Sequence, residues 1–208
     1  MTLIKPIFKS TLATALLCGT LSAWATVGGD ITLEVLGYEP VDQKVYVLHN
    51  HEDGWGGSKL YYFDLKGKNP NKAHEAKSYY NKDSMGIEYD DEDNTAVKKL
   101  ENLKKHLTPL TPISTDGISV KILSTKTRQV ESWGADGTDT AYHHQYRVIS
   151  GKYRSTTQKV VAFEPDLSVS QAYKVPKHDK IVVGVKYLET RMESGYTKED
   201  PVILNKSK

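Results

Sequence analysis

Hydrophobic and polar residues alternate over much of this chain, with the period of two that marks a half-buried strand. Thr32–Tyr38 alternates loosely and ends at Glu39-Pro40; Lys44–Asn50 (Lys-Val-Tyr-Val-Leu-His-Asn) and Ser58–Lys66 follow. Between the last two lies His51–Gly57, dense in turn formers, and β-branched and aromatic runs on either side of such a turn predict a hairpin. From Gly117 onward the same period predicts strands at Ile118–Leu123, Arg128–Trp133, Ala141–Ser150, Gln158–Phe163 and Lys180–Leu188, with turn signals at Gly134–Gly137, Ser150-Gly151 and Pro176. In Lys180–Leu188, Ile181, Val183, Val185 and Tyr187 share one face while Val182 and Leu188 take the other, so this strand is expected to be central and covered on both sides. Pro201–Leu204 is a short closing strand.

One segment keeps a different period. Val97, Leu100, Leu103 and Leu107 recur at helical spacing and predict an amphipathic helix over 95–107, with Asn94 as its side-chain cap and Pro109 as its stop. Lys104, Lys105 and His106 suit the negative end of its dipole, and Glu101 and Lys105 form an i,i+4 pair. The preceding stretch, Gly67–Asn94, is polar and reads as a long surface loop with little regular structure. The expected fold is therefore mostly β (α+β): an antiparallel sheet or sandwich of about eight strands with one helix, in a single domain over 26–208.

The first residues carry another pattern. Lys5 and Lys9 form a positive n-region, Ser10–Leu21 is apolar, and Ala23-Trp24-Ala25 places small residues where a signal peptidase requires them. A signal peptide over 1–25, cleaved after Ala25, predicts a periplasmic or secreted protein. Its apolar run is shorter than the roughly 20 residues that span a bilayer, so no transmembrane segment is expected in the mature chain. Cleavage would also remove Cys18, the chain's only cysteine, so disulfides cannot hold the mature domain.

Charge narrows the partners. The leader holds two of the chain's 28 basic residues and none of its 26 acidic ones, so the remaining charges balance. That balance removes the net electrostatic case for nucleic acid.

The segment Val47-Leu-His49-Asn-His51-Glu-Asp53-Gly-Trp-Gly56-Gly57 resembles the His-x-His-x-Asp-His-x-Gly-Gly signature of metallo-β-lactamase-fold hydrolases. The resemblance implies zinc bound by His49 and His51 and a second metal at Asp53, for hydrolysis. Gly54 stands where the family's next histidine would be, and a strand follows the glycines where the family has a helix. Asp90–Asp93 and Asp136–Asp139 offer oxygen ligands for calcium, without the spacing of an EF-hand. His143 and His144 are adjacent in a strand and point to opposite faces. No Gly-x-Ser-x-Gly, catalytic Ser-x-x-Lys set or phosphate-binding loop is present. Thirteen tyrosines, most on or beside proposed strands, suit either cross-strand packing or a binding groove. The leading expectation is an exported, non-catalytic module that binds a protein, peptide or glycan in the cell envelope, without a resident cofactor. The alternative is a zinc hydrolase built on His49, His51 and Asp53.

Overall fold

The computed structural model describes residues 29–52, 57–82, 84–89, 94–132, 137–192 and 195–207. Among the described residues the fold is β-rich with one α-helix. Strands β1 (Ile31–Glu39), β2 (Lys44–His51), β3 (Lys59–Asp64) and β4 (Ala73–Glu75) form an antiparallel meander, including the expected hairpin around His51–Gly57. A short 3₁₀ turn (Lys77–Tyr79) and helix α1 (Thr95–Lys104) follow, then β5 (Thr111–Pro112). The second half comprises β6 (Ile118–Glu131), β7 (Thr138–Ser150), β8 (Tyr153–Arg154), β9 (Gln158–Ala162), β10 (Ser168–Lys174), β11 (Lys180–Thr190) and β12 (Tyr196–Lys206). The main sheet runs β4-β3-β2-β1-β12-β11-β10-β5 and curls, while β6, β7 and β9 form a second layer joined to it through β8.

The two periods set the three cores. On β2, Val45 and Val47 enter one core with Phe63, Val182 and Ile203; Tyr46 and Leu48 enter another, under the helix. On β11, Val182 faces the first core, and Ile181, Val183 and Val185 face a third, against Tyr146 and Val148 of the second layer. The strand predicted from sequence to be central and covered on both faces is β11, paired with β10 on one side and β12 on the other.

The helix packs Ala96, Leu100 and Leu103 against the outer face of β2 and β3, with Val97 and Leu107 at the margin. It ends earlier than the periodicity implies, and Asn94 makes no side-chain cap bond because its backbone is left-handed (φ 37°, ψ 19°). Glu101 pairs with Lys104, one turn position nearer than Lys105. The stretch before the helix is not a solvent loop throughout: Ala76, Tyr80 and Ile87 are buried beneath α1, and Tyr80 accepts the Leu60 N–H at 3.1 Å.

Three further differences come from long-range pairing. Ile118–Leu123 and Arg128–Trp133 were expected as separate strands; a bulge between Ile122 and Ser124 lets β6 run unbroken from Ile118 to Glu131. Pro201–Leu204 proves to be the middle of β12, which begins at Tyr196. The sheet is also not wholly antiparallel, because β1 meets β12 in parallel at Ile31↔Lys198. Farther along β1, Tyr38 exchanges two backbone hydrogen bonds of 2.8 Å with Thr108, and β5 continues from there to the edge of β10. Gly37 permits this crossing: its φ is +152°, and a Cβ there would lie 2.7 Å from Leu107 Cβ.

Leu100 is fully buried at the centre of the helix contact, whereas Lys98 is exposed. Leu100→Ala is expected to cost about 2–5 kcal/mol in urea unfolding, and Lys98→Ala less than about 0.5 kcal/mol. Equal losses at the two positions would contradict the packing.

Candidate functional site

Along β12 the inward-facing parity changes character. Leu204 and Val202 lie in the apolar core between the layers, but the next residues of that parity are Asp200 and Lys198. A polar cleft of about 430 Å³ opens there. His49 of β2 and Tyr61 of β3 line one side, Asn71 and Lys72 a rim, and Tyr146 with Thr156–Lys159 the facing layer. A hydrogen bond from Asn205 Nδ2 to Asn71 Oδ1 (2.7 Å) ties the β3–β4 connection to β12.

His49 is the inner end of the cluster. Its side chain is 8% exposed, its ring lies 5.0 Å from that of Tyr61, and Nε2 has no hydrogen-bond partner among the described residues. The nearest carboxylate oxygen, Asp200 Oδ1, is 4.0 Å away. Asp200 is itself held by Tyr187, whose hydroxyl donates to Oδ2 at 2.7 Å. Lys198 Nζ sits 3.0 Å from Glu189 Oε1 and 4.0 Å from Asp200 Oδ1.

Charge states follow from these contacts. Burial, reinforced by the positive charge of Lys198 and by His51, lowers the His49 pKa from 6.5 to about 3, with the Glu199 carbonyl opposing. The imidazole is therefore neutral at physiological pH. Burial works against the Lys198 ammonium, yet Asp200 and Glu189 outweigh it and raise its pKa. Burial, then Asp200, pushes the Tyr146 and Tyr187 hydroxyls well above their ordinary range. The cleft thus presents three lysines (Lys72, Lys159 and Lys198), one carboxylate, a neutral imidazole and protonated phenols.

Of the residues expected to hold zinc, His49 lies inside this cleft and His51 at the end of β2, while Asp53 lies outside the described residues. Among the described residues no three His, Cys, Asp or Glu side chains gather as a metal-binding group. Around His49 itself the nearby charged groups are Asp200, 4.0 Å from Nε2, and Lys198, whose ammonium lies closer to Glu189 than to Asp200. The Asp90–Asp93 run, Asp136, Ala23 and Ala25 also lie outside the described residues. His143 is exposed and His144 is 2% exposed, on opposite faces of β7. Sequence reading places Tyr61 and Tyr187 on strands without giving either a site role of its own, and it passes over Lys198 and Asp200. A signal was present for the last two, because Lys198 and Asp200 share the parity of Val202 and Leu204.

No protein family, curated protein or solved structure matches the chain.

The His49 pKa has a consequence for stability. Between about pH 6.5 and pH 3 the unfolded chain binds a proton at this imidazole and the folded chain does not, so folding weakens as pH falls through that window. Each unit of difference is worth about 1.4 kcal/mol. Urea unfolding at pH 7 and pH 4 is expected to show a drop that shrinks by more than about 1 kcal/mol in His49→Gln. An unchanged drop would place the imidazole in water.

Proposed function

We propose that this protein is an exported, non-catalytic binding module, and that the ligand seated between its layers is a glycan. The single observation that carries the reading is the buried His49 Nε2, left without a partner among the described residues at the inner end of a polar cleft. A buried nitrogen in that state costs roughly 1–3 kcal/mol, which a ligand hydroxyl would recover. The walls support the same ligand chemistry. Asn71, Thr156, Thr157 and Gln158 supply amide and hydroxyl groups, and Tyr61 supplies an aromatic face against which a sugar ring can pack.

Catalysis has weaker support from the same residues. A general base needs a pKa near working pH, and that of His49 is lowered to about 3. Asp200 is engaged by Tyr187 and close to Lys198, which suits orientation of a ligand better than proton transfer. Export is supported by the Lys5–Ala25 pattern and by the absence of cysteine after it.

Saturation-transfer NMR against panels of neutral oligosaccharides, acidic oligosaccharides and short peptides tests the reading. Glycans are expected to show transfer that disappears in Tyr61→Ala and His49→Phe. Transfer to peptides alone, turnover of a glycan, or stoichiometric zinc lost on His49→Ala would contradict it.

A further inference from the structure

We propose that the outer face of the β6–β7–β9 layer is a second binding surface, which takes a linear acidic polysaccharide. Residues paired across antiparallel strands share a face, so the register assigns this surface residue by residue. Lys121 lies opposite Arg147, Lys126 opposite His143, and Arg128 opposite Ala141. On the other side of β7, Lys159 lies opposite Gln145 and Val161 opposite His143, while Arg154 of β8 lies opposite Ile149. The face therefore collects cations from four strands. Its acid among the described residues is Asp139, near the hairpin tip, where the Ser132 hydroxyl donates to it at 2.8 Å.

Arg147 and Arg154 hydrogen-bond to Thr157 and Ser207, but the other four cations are not used by the fold. Lys121, Lys126, Arg128 and Lys159 are exposed, and among the described residues none of them forms an ion pair. Lys121 and Arg147 stand directly opposite each other, an arrangement of like charges that weakens a strand pair. An anion laid across them would reverse the sign of that interaction. The balanced charge of the chain as a whole hides this segregation.

The geometry selects the ligand class. At about 3.3 Å per residue, Lys121 and Arg128 are roughly 20 Å apart along β6, so a small anion reaches one or two cations and a linear polymer reaches them all. Bases of single-stranded nucleic acid require aromatic platforms, and Tyr142 and Tyr146 have the opposite parity, toward the other face. Exposed apolar side chains are confined to Val161 and, at the bulge, Leu123, which is little for insertion into a bilayer. Between the cations, Ser124, His143 and Gln145 line a depression of about 400 Å³ and offer hydrogen bonds to sugar hydroxyls. The surface is distinct from the His49 cleft, although Lys159 borders both.

The test is fluorescence anisotropy of the whole protein with labelled polyglucuronate, at low salt and at about 0.15 M. Neutral dextran, a single-stranded DNA oligomer and vesicles containing anionic lipid serve as competitors. Polyglucuronate is expected to bind, more weakly as salt rises, and to be displaced by neither dextran nor vesicles. Lys121→Glu/Lys126→Glu should lose about tenfold or more in affinity, and Lys68→Glu/Lys98→Glu, with the same change in net charge elsewhere, less than about twofold. If the first variant unfolds by circular dichroism, Lys126→Gln/Lys159→Gln decides, with a smaller loss expected. No binding at low salt, equal loss in both charge-reversed variants, no loss in the folded neutral variant, or preference for DNA or vesicles would overturn the proposal. His49→Phe is expected to leave this binding intact, which separates it from the cleft.

Discussion

The backbone of β1 needs partners on the side away from β2, and no single strand supplies them. At Ile31 the partner is β12, in parallel. Two residues on, side chains take over: Leu33 N–H donates to Glu199 Oε2 at 3.2 Å, and Leu33 C=O accepts from Gln171 Nε2 at 2.7 Å. Gln171 also donates to Glu199 Oε2 at 2.8 Å and accepts from the Tyr173 hydroxyl at 3.0 Å, so the bridge is closed on itself. By Tyr38 the partner is Thr108, and the Tyr38 hydroxyl, within the same curl, lies 2.9 Å from His178 Nε2.

This hand-over lets the main sheet curl, and the curl brings β3 and its connection to β4 beside the C-terminal half of β12. Alternation along β12 then divides the work. Glu199 points toward Gln171 and clamps β1; Lys198 and Asp200, of the other parity, face His49 and the cleft. Structural and cleft-facing polar groups sit on consecutive residues of one strand. The second layer closes the cleft and exposes its own outer face, where cations gather.

Local periodicity made the strands of the meander, the helix and the two-faced β11 legible, because each depends on which residues must be buried. Ser168–Lys174 escaped notice, since Ser168, Ser170 and Gln171 leave its alternation weak, and its register is set by a bulge opposite Gly184. The extent of β12 was underestimated for a related reason: Lys198, Glu199 and Asp200 read as solvent-facing, although the fold half-buries all three. Pairing of β1 with a strand more than 160 residues away leaves no local trace. The His-x-His segment points to His49, which lies in the cleft, but the groups around it come from β12 and β11, and only the assembled sheet reveals them.

Amide hydrogen exchange at Leu33 measures the clamp on which this arrangement depends. The account predicts slow exchange in the native protein and exchange accelerated at Leu33, but not at Val182 in the core, when Glu199 is replaced by alanine. Protection of the Leu33 amide that survives Glu199→Ala would mean that β1 is paired some other way, and the origin of the cleft given above would be wrong.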